Sequence, residues 1–229
     1  MTSSNRDRES RAEAMTATRP SPYPMPIAAA PPVDGPSGAI QPLRSVLLVQ
    51  LVRDHLPQPL HDRASVRELL ANVARLTHVA RSAGVPVVYT LRASKRQEPT
   101  WADMPDRSPG RPPAGAGAVP DVLQPQIGDT VFIARRHSAF AGTRLRARLK
   151  ELGRDQLVVV GTSARTDVLL TAADARIQDL MPFAVTDAVV DATSDDPASA
   201  VRWLATTCAV LKATDSVVEA FRTGSAEAM

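Results

Sequence analysis

Short, continuous apolar runs recur along this chain, and they constrain its fold more than any other feature. The first run, SVLLVQL at Ser45–Leu51, lacks an alternating polar face, which is typical of a strand buried on both sides. Similar runs follow at VPVVYTL, TVFIAR, DQLVVVGTS and PFAVTDAVV. The segment LKATDSVVEAF predicts one more strand followed by a terminal turn of helix.

Helical patterns lie between these runs. Residues 64–83 place apolar side chains three and four positions apart, which predicts an amphipathic helix, and Gly84 ends it. Further helices are predicted around GTRLRARLKELG, DVLLTAADARIQDL and residues 201–211. Strands that alternate with helices predict an α/β fold, in which helices cover both faces of a parallel sheet. The ligand site of such a sheet lies beyond the carboxyl ends of its strands.

Proline divides the chain into a tail, residues 1–44, and a domain, residues 45–229. Eight of the twenty prolines lie between Pro20 and Pro42. Proline at this density favours an extended, polyproline-like chain, which is either disordered or an arm laid across a surface. Within the domain, residues 92–128 are also rich in proline and glycine. They predict a long irregular insert of the kind that is usually functional or mobile.

The composition excludes several classes of protein. Cys208 is the only cysteine, which rules out an internal disulfide and a multi-cysteine metal site. No apolar run approaches the roughly 20 residues needed to cross a bilayer, and the first residues lack the apolar core of a signal peptide. We therefore expect a soluble, cytoplasmic protein that is not bound to a membrane.

Charge and motifs narrow the possible partners. Basic residues are scattered through the predicted helices, and aromatic residues make up only 3% of the chain, which argues against nucleic-acid binding. The sequence has no glycine-rich phosphate loop and no paired-cysteine zinc pattern. We expect neither a cofactor nor a metal, and a small molecule as the ligand.

Several segments, in this order, resemble the isochorismatase-like hydrolases of the cysteine hydrolase superfamily. They are PYPMP, GVPVVYT, RHSAFAGTRLRARLKELGRDQLVVVGTSA and LLTAADARIQDLMPFAVTDAVVDAT, and the likeness is to the isochorismatase branch of siderophore and phenazine pathways. The resemblance covers nearly the whole chain. It implies a three-layer α/β/α, Rossmann-like fold with a six-stranded parallel sheet, and a homodimer.

The resemblance also implies where the catalytic groups should be. The family uses an aspartate after the first strand and a lysine after the third, and its cysteine hydrolases add a nucleophilic cysteine after the fourth. Isochorismatases lack the cysteine, and their aspartate is thought to protonate a vinyl ether so that water releases pyruvate. These three positions fall on Leu51, Ala134 and Asp167, and a substrate-binding glutamine falls on Arg92.

Other polar residues surround these positions at the predicted mouth. As substrate-binding candidates we take Gln50, Arg92, Arg136, Ser163, Arg165 and Thr166. The arginines are either solvated rim residues or an anion site, since a guanidinium pairs with carboxylates through two parallel bonds. Asp167 is most simply a cap or first-turn residue of the next helix, with a new general acid or base as the alternative. His137 is a weaker catalytic candidate, because a lone histidine is more often a hydrogen-bonded rim residue.

Two interpretations of the function follow. Leucine and alanine can neither transfer a proton nor stabilise negative charge, so the first is a catalytically degenerate or repurposed member that binds a small, anionic molecule in bacterial secondary metabolism. The alternative is a diverged enzyme, a hydrolase or another class, that acts on a cyclic or aromatic carboxylate through a non-standard site. Whether the protein is an enzyme at all stays open at this point, although loss of the vinyl-ether hydrolysis is expected.

Overall fold

The computed structural model describes residues 38–52, 64–92, 119–190 and 197–226. The prediction for the proline-rich arm falls on residues 1–44, of which 1–37 lie outside the described residues, as does most of the predicted insert. The described strands are β1 (Ser45–Val52), β2 (Val87–Arg92), β3 (Thr130–Ala134), β4 (Gln156–Thr162), β5 (Met181–Val190) and β6 (Val210–Lys212). The described helices are α1 (Ala64–Ser82), α2 (Leu145–Glu151), α3 (Leu169–Ile177), α4 (Pro197–Thr207) and α5 (Thr214–Ala226).

All six strands form one parallel sheet in the order β3-β2-β1-β4-β5-β6. This confirms the predicted α/β fold with a six-stranded parallel sheet. The final helix, α5, is longer than the single turn that the sequence predicts, because Val217, Val218 and Phe221 repeat at helical spacing and are fully buried.

The core lies on both faces of the sheet. On one face, Leu47 and Val49 of β1 pack with α1 and α5, and on the other, Val46 and Leu48 pack with α2, α3 and α4. Successive residues of a strand point to opposite faces, so one apolar run supplies both layers of the core. The resulting layers are helix, sheet and helix, as predicted.

Part of the segment before β1 is packed against the domain. Ile40 belongs to the core beneath α1 and α5, and Pro42–Arg44 form one 3₁₀ turn. The backbone N–H of Gln41 donates to the side-chain oxygen of Gln156, the first residue of β4. These contacts fix the amino end of the sheet. None of the described helices is long and apolar enough to span a bilayer.

Candidate functional site

The carboxyl ends of the central strands bring most of the predicted site residues together. The strand order runs outward in opposite directions from β1 and β4, which places a topological switch point, the usual ligand crevice of such sheets, between them. Gln50 on β1 is the register partner of Gly161 on β4 and of Thr90 on β2. Arg92 and Ala134 end their strands and are also register partners.

The turn after β4 has an unusual backbone. Ser163 adopts a left-handed conformation, with φ 67° and ψ 58°, and Ala164–Val168 form one turn of π-helix before α3. Turns of this kind occur frequently at functional sites. The widened turn exposes Arg165 and Thr166 and points Asp167 inward.

The carboxylate of Asp167 is the centre of the site, and its side chain is 1% exposed. Arg92 binds it through two bonds, Nε to Oδ1 at 2.7 Å and Nη2 to Oδ2 at 3.2 Å. The Thr166 hydroxyl donates to Oδ2 at 2.9 Å, and Ser163 and Thr166 share a hydroxyl–hydroxyl bond of 2.5 Å. A buried carboxylate needs such partners, because an unpaired charge in the interior is very costly.

His137 approaches the same carboxylate from the solvent side. Its Nδ1 lies 3.3 Å from Oδ2 of Asp167, and its side chain is 50% exposed. An ionised carboxylate can only accept hydrogen bonds, so this contact requires the proton on Nδ1. The neutral ring then has a lone pair on Nε2, which is the atom available to a ligand or a water molecule.

Gln50 lies beneath this cluster and is almost fully buried. Its amide nitrogen donates to the backbone oxygen of His137 at 2.9 Å and to Thr171 Oγ1 at 3.0 Å. The backbone N–H of Ala139 also donates to Thr171 Oγ1. Gln50 therefore links the loop after β3 to α3. Its Oε1, like the hydroxyl of the neighbouring Thr90, has no hydrogen-bond partner among the residues that the structure describes.

The close approach of β1 and β4 at the site depends on Gly161. Its φ is 136°, and a Cβ atom there would lie 1.9 Å from the backbone oxygen of Gln50. The register of β4 against β5 also shifts between Val159 and Gly161. A side chain at Gly161 would separate the two strands that form the crevice.

The positions that the resemblance assigns to the family's acid and lysine are apolar and buried. Leu51 is 3% exposed and packs in the core beneath α1, and Ala134 is also 3% exposed. Neither side chain can take part in proton transfer. Asp167 is in the first turn after β4, as predicted, but its carboxylate bonds Arg92 and Thr166.

The remaining candidates lie around the ion pair. Arg136 is exposed on the loop after β3, and Arg165 is exposed on the π-turn. Arg92, which the sequence offers as an anion-binding residue, is already paired with Asp167 within the chain. Burial raises the pKa of the Cys208 thiol to about 11, so this buried cysteine lacks the thiolate character of a nucleophile. Within the described ranges, no three His, Cys, Asp or Glu side chains are placed to hold a metal ion.

Sequence reasoning missed two polar residues of the site. Thr171 holds both Gln50 and the backbone of Ala139, and Thr90 carries one of the two buried side-chain atoms that have no hydrogen-bond partner among the described residues. Both are threonines within apolar segments that otherwise predict only core. The sequence signal is weak, because buried threonines also occur where they bond their own helix, as Thr77 does here.

Comparison with known proteins gives a consistent result. The model of the isochorismatase domain family matches residues 45–216. The phenazine biosynthesis protein PhzD of Pseudomonas fluorescens is 35% identical over 199 residues, which cover 86% of this chain and 96% of that protein. The enterobactin synthase component B of Escherichia coli is 32% identical over 171 residues, or 73% of this chain and 60% of that protein. A cysteine hydrolase structure from Pseudomonas syringae covers 82% of this chain and 97% of its own, with a TM-score of 0.67 and 20% identity.

Proposed function

The chain belongs to the isochorismatase family, and from this premise we propose that it binds a small acidic molecule without performing the family's vinyl-ether hydrolysis. The carrying observation is the pairing of the buried Asp167 carboxylate with Arg92, combined with apolar side chains at Leu51 and Ala134. The oxygens of Asp167 accept hydrogen bonds from Arg92 and Thr166, so this carboxylate is engaged within the chain and is not free to serve as a general acid. The described site thus has no evident replacement for the family's acid.

Charge supports an acidic ligand. Among the described residues, Arg92, Arg136 and Arg165 are all at the carboxyl ends of the strands, and Asp167 pairs with Arg92. Arginine side chains at the mouth of a crevice attract anions and concentrate them there. Because Arg92 is paired with Asp167, an incoming anion first contacts the two exposed arginines, Arg136 and Arg165.

The relatives suggest the setting. Two are named for phenazine biosynthesis and for enterobactin synthesis, and we propose a role in bacterial secondary metabolism for this chain as well. We also propose that the protein forms a homodimer and is located in the cytoplasm, as expected from the sequence.

Two measurements test it. In a coupled assay for pyruvate, isochorismate should not be turned over in the usual enzyme range of about 1–10³ s⁻¹.

In thermal shift, benzoate and cyclohexanecarboxylate should stabilise the protein while their neutral amides do not. Arg136→Ala and Arg165→Ala should each weaken the binding of these acids by about tenfold. Arg222→Ala, an exposed arginine on α5, is the control. Turnover of isochorismate, or equal stabilisation by acids and amides, would contradict the proposal.

His137 favours a second candidate function, a diverged enzyme that acts on a cyclic or aromatic carboxylate. Its Nδ1 is oriented by Asp167, and its half-exposed ring presents Nε2 outward. A histidine held in this way by a carboxylate can act as a general base toward water. Monophenyl esters of ring dicarboxylic acids, which keep one free carboxylate, would test this. Activity that is present in the wild type and lost in His137→Gln supports it, and equal rates in the wild type and His137→Gln exclude it.

A further inference from the structure

We propose that Arg92, Thr166 and His137 form a carboxylate-binding site and that the side chain of Asp167 occupies it as a built-in ligand. Small monocarboxylates then bind at this site when the Asp167 carboxylate is removed. This inference deepens the proposed function, because it identifies the atoms that receive an acid and the group with which that acid must compete.

The donors around the carboxylate are arranged as they would be around a free acid. Two guanidinium N–H groups of Arg92, the hydroxyl of Thr166 and the Nδ1–H of His137 all point at the two oxygens of one carboxylate. One of these donors bonds Oδ1 and three bond Oδ2, so both oxygens of the carboxylate are engaged and, among the described residues, Oδ1 keeps a free lone pair. The two-pronged arginine contact is the common way in which proteins recognise a carboxylate.

The donors come from separate parts of the fold. Arg92 ends β2, His137 belongs to the loop after β3, and Thr166 lies on the π-turn after β4. They converge at the carboxyl end of the sheet, near the switch point where such sheets bind ligands. The occupant, Asp167, is the only one of the four residues whose removal leaves the complete donor set in place.

The site also has an opening toward solvent. Asp167 is buried, but the His137 side chain that contacts it is half exposed, so a small anion can reach the donors past the imidazole. In the intact protein an external acid must displace Asp167 from the donors. Its affinity is therefore lower than the same donors would give to an acid in the absence of Asp167.

The experiment is a rescue of Asp167→Ala by formate, which replaces the deleted carboxylate atom for atom. With formate about tenfold above its dissociation constant, the Tm of this variant should rise by roughly 3–6 °C relative to the same concentration of chloride. Wild type should show no such rise. Asp167→Asn should not be rescued, because its amide fills the space, and neither should the double variant Arg92→Ala/Asp167→Ala.

Asp155→Ala is the matched control, since Asp155 is bound through two bonds by Arg44 at an exposed position. If formate stabilises this variant or the Arg92→Ala/Asp167→Ala double variant as much as Asp167→Ala, the effect is nonspecific and the inference is wrong. If Asp167→Ala is recovered poorly, its refolding yield in formate against chloride replaces the Tm. Asp167→Gly with acetate is a second pair. Absence of any carboxylate dependence in both variants overturns the inference.

The outcomes separate this inference from the proposed function. Rescue of Asp167→Ala without any binding of ring acids to wild type would support the built-in ligand and contradict the proposed function. Binding of ring acids to wild type without rescue would do the reverse, and would place the acid at Arg136 and Arg165 alone.

Discussion

The two ends of the sheet each hold a buried arginine–aspartate pair, and the two pairs have different surroundings. At the amino end, Arg81 binds Asp129 through two bonds of 3.2 and 2.6 Å, and Asp129 also accepts the backbone N–H of Gln126. At the carboxyl end, the equivalent contact partner of Asp167 is the half-exposed His137. The amino-end pair is completed by a backbone N–H and the buried Tyr89 hydroxyl, whereas the carboxyl-end pair contacts a half-exposed histidine.

The same contrast holds for two buried glutamines. Gln156, at the amino end, accepts from the Gln41 backbone and the Ser45 hydroxyl and donates to the Ala39 oxygen. Gln50, at the carboxyl end, uses only its amide nitrogen, and its oxygen has no partner among the described residues. Buried polar atoms are nearly always paired, and exceptions concentrate at functional sites. At the amino end, Gln156 uses both its oxygen and its nitrogen in bonds within the chain. At the carboxyl end, Gln50 retains an oxygen that can accept a hydrogen bond from a ligand.

The largest effect is expected for the two ion pairs. Arg92→Ala and Arg81→Ala each leave a buried aspartate unpaired, which should lower the free energy of unfolding by about 3–5 kcal/mol. Urea unfolding measures this cost, and adding Asp167→Ala or Asp129→Ala to the respective variant should restore much of it. A cost below about 1 kcal/mol for Arg92→Ala alone would mean that the carboxyl-end pair behaves as an exposed one.

The glutamines should differ by about 2 kcal/mol. Gln156→Leu removes three hydrogen bonds to nitrogen and oxygen atoms, besides a weaker one to Met181 Sδ, and should cost about 3 kcal/mol, at roughly 1 kcal/mol net for each of the three. Gln50→Leu should cost about 1 kcal/mol, because Thr171 keeps its bond from Ala139 and an unpaired oxygen is removed. Both variants are compared with wild type in urea. Equal losses of unfolding free energy in the two variants would mean that the two ends of the sheet do not differ in this respect.

Alkaline pH tests the amino end alone. Burial raises the pKa of Tyr89 to about 12, and its hydroxyl accepts a hydrogen bond from Arg81. Because the folded pKa exceeds the unfolded value of about 10, this contribution is complete below pH 10 and is lost as the pH rises toward 12. The loss should be roughly 2–3 kcal/mol. Denaturant titrations of wild type and Tyr89→Phe check it, and the same decline in both proteins would exclude Tyr89 as the source.

The sequence predicts the scaffold far better than the site. Apolar runs such as SVLLVQL identify the strands, because a strand buried on both faces has few alternatives, and the family motifs fix their order. The pairing of Arg92 with Asp167 joins residues 75 positions apart. It depends on the order and register of three strands, β2, β1 and β4, and neither residue type carries that information.

The backbone geometry of the site could not be predicted from the sequence either. The π-turn at Ala164–Val168 and the left-handed Ser163 direct Asp167 inward, whereas helical spacing alone predicts an ordinary first turn. The partnerless oxygen of Gln50 appears only once the partners of its nitrogen are known. Local pattern therefore gives the residues of the site, and the tertiary arrangement decides which of them bind each other.

The smallest effect is expected at Ser163 and Asp179, the two non-glycine residues with left-handed backbone in the described part of the chain, one near each end of the sheet. A left-handed conformation costs a non-glycine residue about 1–2 kcal/mol, and glycine avoids this cost at some loss of unfolded-state entropy. Asp179 is exposed in the turn before β5, so Asp179→Gly should raise the free energy of unfolding by about 0.5–1 kcal/mol. Ser163→Gly gains the same relief but loses the hydroxyl bond to Thr166, worth about 1 kcal/mol, so its net effect should be near zero.

Thermal and urea unfolding of both glycine variants decide this, with Asp179→Ala as the control that keeps the backbone cost and should not stabilise. The Ser163 hydroxyl bonds Thr166, which in turn bonds Asp167, so the strain at the carboxyl end is tied to the position of the carboxylate. If Ser163→Gly stabilises as much as Asp179→Gly, that tie is absent, and the left-handed residue does not help to hold Asp167 against Arg92. If it is neutral while formate rescue of Asp167→Ala weakens in its presence, the strained turn positions the donors.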